Sequence, residues 1–558
     1  MTRVPMREVQ GIVLRSYEKL PAAHLVLLEV GNVEAAKRWL AQLPLTPADV
    51  EPEAQALNVA FSAAGLSAFG LDDATLGEFS REFVEGMDTD RRRRVLGDLD
   101  SNSPEEWEWG QRSMAPRMHI LLMLYAATEA ALQTLTGAQE QAFRAAGLTS
   151  LDAFDSSQLT GRKEHFGFRD GIAQPFIAGL DKPEASFERE DETRGNTLPP
   201  GEFLLGHPNA YGSVSPSPSI ARGGTRFDFG RHGSYLVFRQ MRQNVARFWQ
   251  YQLASAASGQ APSNPVLLAS KMVGRWPGGA PLALSAGQDD PKQLDADAFG
   301  YTDDPLGQHT PIGSHTRRSN PRDSLEPGPD GLDRLSPASS LDVTRRHRIL
   351  RRSRPYGPPL VASMDPASLM KADDDAQDRG MLFLCFNANI ARQFEFIQQT
   401  WINNPKLGGQ YEDTDPLMGR RRNDQPTDTF TVPAEPVRGR HLNMQEFITV
   451  VGGGYFFMPG IEAVKELAGV VAKLEPVVKL PTILVAKETI PPDEDRFTQQ
   501  LIIMLRDKVA RDYPTGTTRR DAHAKAHGLV KAEFIIEFQK KMADLWATPT
   551  PVENEGTK

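Results

Sequence analysis

The chain has 558 residues, 40% hydrophobic and 24% charged, with a formal net charge of −9. That is the balance of a soluble globular protein too long for one ordinary core, so two domains or a duplicated fold are expected. The acidic balance excludes nucleic acid as the main partner, because phosphate binding rests on clustered positive charge.

Read in chain order, the amino terminus Met1-Thr-Arg-Val-Pro-Met-Arg carries neither an apolar export core nor a twin-arginine pair. No stretch approaches the roughly 18 to 20 apolar residues of a membrane span. A cytoplasmic protein without membrane association is expected. His24 to Val30 reads as a buried strand and Val33 to Leu43 as an amphipathic helix with helical spacing of its apolar residues. Leu57 to Phe61 reads as a strand leading into an Ala/Leu-rich helix that ends at Leu71. Met118 to Tyr125 is a third strand, running into a helix from Ala126 to Ala146. Strands separated by helices, with an antiparallel return, describe a ferredoxin-like α+β half.

The pattern then repeats. Gly233 to Arg239 reads as a strand followed by a helix from Gln240 to Ala257, and Met381 to Phe386 as a strand leading into a helix from Ile390 to Trp401. Phe447 to Val451 and Tyr455 to Met458 read as further strands. The resulting division is 1–210, 211–477 and an extension over 478–558. Periodicity alone leaves other α+β folds open. Two long loops interrupt the pattern: Lys182 to Leu198, charged and poor in aliphatics, and Gly278 to Ser340, dense in Gly, Pro, Ser and Asp. Loops of this length are functional or are mobile insertions. Cys385 is the only cysteine and lies in the apolar run Met381 to Phe386. It reads as a buried, inert thiol that fits a reducing compartment.

Gly167-Phe168-Arg169-Asp170-Gly171 holds a carboxylate between two glycines, with Pro175 shortly after. Such a turn lets the backbone approach a flat ligand closely, which makes Asp170 a candidate acid or base. A plain Asp-Gly turn is the alternative. The whole block from Glu164 to Pro175 resembles the signature of the dye-decolorizing peroxidases, haem enzymes in which this aspartate lies above the iron. Further blocks match the family in the same order: Gly201 to Gly212, Gly233 to Gln240, Met272 to Gly279, Pro311 to Arg322 and Arg345 to Gly357. Together they cover most of the span from about residue 10 to residue 475.

The resemblance implies two tandem ferredoxin-like halves with antiparallel sheets enclosing one haem b per chain. It implies a peroxidase that uses hydrogen peroxide to oxidise bulky aromatic, dye-like donors. His315 falls in the segment that carries the family's iron ligand, and neutral imidazole suits an iron that must reach a high oxidation state. His165, His207, His232, His309 and His347 are rivals, and His165, two residues before the Gly167–Gly171 turn, is also a candidate propionate contact. Above the iron, Asp170 is implied to move the peroxide proton and Arg351 to neutralise charge on the departing oxygen. Ser353 stands where relatives place a small or amide residue. Arg352 and Arg354 leave that register open by one or three residues, and a solvated basic face is the structural alternative.

Arg275 and Arg317 match positions that usually supply cations to the propionates. Glu395 is the candidate acceptor fixing the ligand imidazole's tautomer, with a solvated helix carboxylate as the alternative. A carboxylate in place of imidazole above the iron implies an acidic pH optimum. Bulky donors are too large for a small pocket, so electrons are expected to pass through a surface Trp276, Tyr356 or Trp401, each otherwise core packing. The separation of His315 from Arg351, 351 − 315 = 36 residues, points to an insertion over Ser324 to Ser340 beside the haem.

Near the end, Arg519-Arg520-Asp521-Ala522-His523-Ala524-Lys525 resembles the region around the distal histidine of catalases. No chain remains to supply a catalase tyrosinate, so a vestigial or docking appendage without its own haem is expected. Thr548 to Lys558 is polar and expected to be disordered. A haem-binding or haem-iron-handling protein with incidental peroxidase activity is the second reading, and a haem-free ferredoxin-like oxygenase the third. Association into a homo-oligomer is open.

Overall fold

In the first half the apolar runs Ala22–Val30 (β1), Gln55–Phe61 (β2) and Ile120–Ala126 (β3) lie side by side, and all seven residues of β3 are buried. The computed structural model of the protein describes residues 4–157, 159–179, 196–222, 225–325, 335–421 and 428–470. Successive β3 residues pack into opposite faces, Leu122 and Leu124 into one core and Leu121, Met123 and Tyr125 into the other. Burial on both faces explains why these strands read as continuous apolar runs. An edge strand, Leu148–Asp155 (β4), pairs with β1. The sequence reading missed it because its exposed positions include Thr149 and Asp155 and a polar Asp152 stands on the face of Phe154, which masks the apolar pattern. The longest helices described in this half are Val33–Gln42 (α1) and Glu129–Ala145 (α2), started by the side chains of Asn32 and Thr128 accepting backbone N–H groups.

The second half contains Ser234–Gln243 (β5), Leu350–Arg351 (β6), Arg354–Tyr356 (β7), Gly380–Asn387 (β8) and Ile448–Met458 (β9). The spatial orders β4-β1-β3-β2 and β9-β5-β8-β6 both run fourth, first, third, second, with every pair antiparallel. This is the ferredoxin-like order twice over. β9 meets β2 where Phe457 lies opposite Phe61, which joins the halves into one nine-stranded sheet.

Three expected boundaries shift for local reasons. β5 runs on to Gln243, and the Asn244 side chain caps the helix Val245–Ala256 (α3). Residues 390–401 form π-helical turns, Ala391–Glu395 and Ile397–Ile402. The two strands expected around Gly452 to Gly454 are one strand, whose register shifts between Val450 and Gly452 where the Trp109 indole packs against the glycine backbone.

The described residues all fall within one compact unit. The catalase-like block and nearly all of Lys182 to Leu198 lie outside the described residues. Of the expected insertion, 326–334 also lies outside them, and its end begins the helix Pro337–Thr344 (α4). No helix among the described residues is long and apolar enough to cross a membrane.

Candidate active site

A cavity of about 260 Å³ opens between the Glu164–Ala173 turn, β5, β8, the π-helical turns and the short helix His315–Ser319. Phe166, Phe168, Met241, Phe383, Phe394 and Leu417 give it a mainly apolar wall, while Asp170, His315, Arg351 and Ser353 supply polar groups.

Asp170 is presented by a turn that needs glycine. Gly167 and Gly171 have φ of +92° and +82°, and a Cβ on Gly167 would come within 2.8 Å of the Leu369 Cδ1 atom. The turn is closed by Glu164, whose carboxylate accepts the N–H groups of Phe166 and Phe168, each at 2.9 Å, and Gln243 Nε2 at 2.7 Å. Burial pushes the Glu164 carboxyl up to about 7, against these donors and with the Asp170 charge adding to the rise. Arg351 stands 3.3 Å from Asp170 Oδ1, its own N–H donating to Gln174 Oε1.

Strand alternation sends the arginines of this run to opposite sides. Arg351 and Ser353 line the cavity, whereas Arg352 bonds the carbonyls of Ile12 and Val13, and Arg354 those of Ser16, Tyr17 and Pro21.

His315 faces the same cavity, and its Nδ1–H donates to Asp415 Oδ2 at 2.9 Å. Only the imidazole can be the donor to an ionised carboxylate, so in the neutral ring Nε2 carries the lone pair. Burial disfavours the imidazolium, yet Asp415 more than compensates and the His315 pKa is raised. Burial would also raise Asp415, but His315 and the Met418 N–H hold it below the usual carboxylate range. Asp415 is fully buried, and its Oδ1 caps the N–H groups of Leu417 and Met418 at 2.9 and 2.8 Å.

Glu395, expected in this role, does not approach His315. The π-helical turn sends Phe394 to the cavity and Glu395 away from it, onto Arg92 at 2.7 Å and Tyr455 at 2.9 Å. The missed acceptor sits in Asp413-Thr414-Asp415-Pro416, where an Asp-Pro step in a polar segment reads as an ordinary turn.

Arg317 is likewise corrected. It turns from the cavity to the carbonyls of Asp304 and Thr310, each at 2.9 Å, and stacks over Tyr301. Arg275 does line the cavity and reaches Asp297 Oδ1 at 3.1 Å. Arg322 and Arg348, which the sequence reading missed, line it as well, and Arg322 pairs with the same Asp297 carboxylate. Burial pushes the Arg348 guanidinium down to about 10, with Asp297 acting against that. Among the described residues, two guanidinium groups thus pair with one carboxylate, and a third, Arg348, bonds Asn196 Oδ1 at 2.8 Å within the field of that carboxylate. Their surplus positive charge fits the two carboxylates of a haem, as the apolar wall fits its ring.

His165 is fully buried and donates from Nε2 to the Tyr356 carbonyl at 2.7 Å, away from the cavity, with burial pushing its pKa down to about 4. It does not line the cavity. His207 and His232 bond one another at 2.9 Å, and His347 stacks on Phe396 with ring centroids 3.7 Å apart. None of these, nor His309, lines the cavity. Trp276, Tyr356 and Trp401 are 8%, 7% and 2% exposed, so none of the expected surface relays reaches the surface.

Fold and cavity together define a class: a tandem ferredoxin-like protein built around a pocket for a planar, anionic cofactor. No family model matches the chain. It is 30% identical over 428 residues to a dye-decolorizing peroxidase of Auricularia auricula-judae, covering 73% of this chain and 75% of that one. A multifunctional dye peroxidase of Amycolatopsis is 28% identical over 427 residues, 74% of this chain and 83% of that one. A solved dye-decolorizing peroxidase in complex with 2,6-dimethoxyphenol superposes with a TM-score of 0.63 at 27% identity, over 83% of this chain and all of that one. The chain belongs to the dye-decolorizing peroxidase family and is a peroxidase.

Proposed function

We propose that the protein binds one haem b per chain and reduces hydrogen peroxide at the expense of bulky aromatic donors, with an acidic optimum. The observation that carries this reading is the joining of two pairs on one apolar cavity, His315 with Asp415 and Asp170 with Arg351. Haem b is favoured over a thioether-linked haem because the sole cysteine, Cys385, is buried in the core with its thiol pKa raised by burial. When bound, the haem supplies the redox-active iron.

His315 would offer Nε2 to the iron, held in one tautomer by Asp415. Asp170 would hold the proton taken from one peroxide oxygen at its carboxylate and pass it to the other. Arg351 holds the peroxide and neutralises the charge on the departing oxygen. Ser353, beside Arg351, lines the peroxide-side wall. Arg275, Arg322 and Arg348 would receive the propionates. We read 1–210 and 211–477 as the two halves and place the protein in the cytoplasm, which its single buried thiol supports.

Glu164 supplies the pH dependence. Its pKa is raised, so it is neutral below about 7 and anionic above. Once ionised it adds a negative charge beside Asp170, close to where negative charge develops on the departing oxygen, and opposes the cleavage. The stopped-flow rate of the haem-loaded enzyme with peroxide, followed from about pH 4 to about pH 9, is expected to fall as pH rises through roughly 7. In Glu164→Gln that fall disappears. An enzyme whose absorption spectrum is untouched by peroxide at every pH contradicts the peroxidase reading.

A further inference from the structure

One aromatic ring behind the cavity wall lies a buried cluster that the peroxide chemistry does not use. Tyr455, on β9, is 4% exposed and donates its hydroxyl to Glu395 Oε1 at 2.9 Å. The other Glu395 oxygen meets Arg92 at 2.7 Å, and Arg92 is shared with Glu85 at 2.8 Å and Glu82 at 3.4 Å. Three carboxylates therefore lean on one buried guanidinium, although Arg81 reaches Glu85 from the surface side. This surplus of negative charge favours uptake of a proton, and burial pushes the Glu395 carboxyl pKa upward in that direction. Phe394 lines the cavity, and its ring meets that of Tyr455 edge-on with centroids 6.4 Å apart. Arg239, paired with Asp98 and set over Phe394, is the other charged group facing the phenol.

We propose that Tyr455 is an internal oxidation site, with Glu395 as its built-in proton acceptor. The inference rests on the peroxidase reading, which supplies the oxidant. Tyr455 gives one electron past Phe394 to the peroxide-oxidised cofactor, and its Oη–H bond breaks as the proton moves to Glu395 Oε1. A neutral phenoxyl radical and a carboxylic acid remain, and the cofactor is reduced by one electron. An aromatic donor later returns the electron, and the proton moves back. Because the phenol is buried, the site holds an oxidising equivalent out of solvent when donors are scarce.

The test is freeze-quench electron paramagnetic resonance of the haem-loaded enzyme after one equivalent of peroxide without donor. Wild type, Tyr455→Phe and Glu395→Gln are compared, with absorption recorded in parallel. Wild type is expected to give a phenoxyl signal that narrows when its tyrosines are ring-deuterated. Both variants are expected to lose most of that signal while their absorption still responds to peroxide. An undiminished signal in either variant overturns the site, as does a wild type without the signal but with a normal absorption response. If Tyr455→Phe fails to fold, Glu395→Gln decides alone. A wild type whose absorption ignores peroxide overturns the peroxidase reading, and this site with it.

Discussion

Asp170→Asn is expected to slow the reaction with hydrogen peroxide by about 10²- to 10⁴-fold, the usual contribution of a positioned proton-transfer group, while haem content stays at the wild-type level. The asparagine keeps the size of the side chain and an oxygen for Arg351, which stands 3.3 Å from the native carboxylate. The turn is closed by Glu164 rather than by Asp170, so the pocket keeps its shape. Only the ability to take up and release a proton is removed. Arg351→Leu is expected to cost a similar factor, and the double variant little more than either alone, because the two side chains act on the same bond cleavage. Single-turnover kinetics with a diode-array detector measure all three. A wild-type rate in Asp170→Asn would move the proton-transfer role to another residue.

The second large effect is expected at Asp415→Asn. The amide keeps an oxygen for the Leu417 and Met418 N–H groups that Oδ1 now caps. It removes the negative charge that polarises the His315 imidazole, and replacing the acceptor behind a ligand histidine typically costs about 10- to 100-fold in metal affinity or activity. Stability of the haem-free protein should show the same charge. The folded-state pKa of Asp415 is depressed, so its stabilisation is present above the unfolded carboxylate value, near 3.9, and fades as pH falls through the folded value. Urea unfolding should therefore find the variant weaker than wild type at pH 7 and close to it in acid. A deficit that stays constant with pH would mean that Asp415 serves packing alone.

The repeated strand–helix pattern was legible because the central strands are buried on both faces and announce themselves as apolar runs. β4 escaped that signal as a sheet edge whose outward face is polar, and the glycines of β9 imitated a chain break. Asp170, His315 and Arg351, which line one cavity, each belong to a contiguous block whose local chemistry is unusual. Their partners were not legible, since a pair such as His315 and Asp415 lies 100 residues apart and only the fold brings the two together. Glu395 looked right by type and helix placement, but a π-helical turn rotates it toward Arg92. Arg317 sits two residues from His315, yet it spends its donors on loop carbonyls, while Arg322 and Arg348 face the pocket from elements that sequence spacing does not link.

The most direct test of the shared cavity is a haemin titration of the haem-free protein followed by absorption, for wild type and His315→Ala. Wild type is predicted to saturate at one haem per chain, with a spectrum that changes on adding one equivalent of peroxide. His315→Ala is predicted to lose the histidine-ligated spectrum and to recover it when imidazole is added. A His315→Ala variant whose spectrum and peroxide response match the wild type would contradict the account.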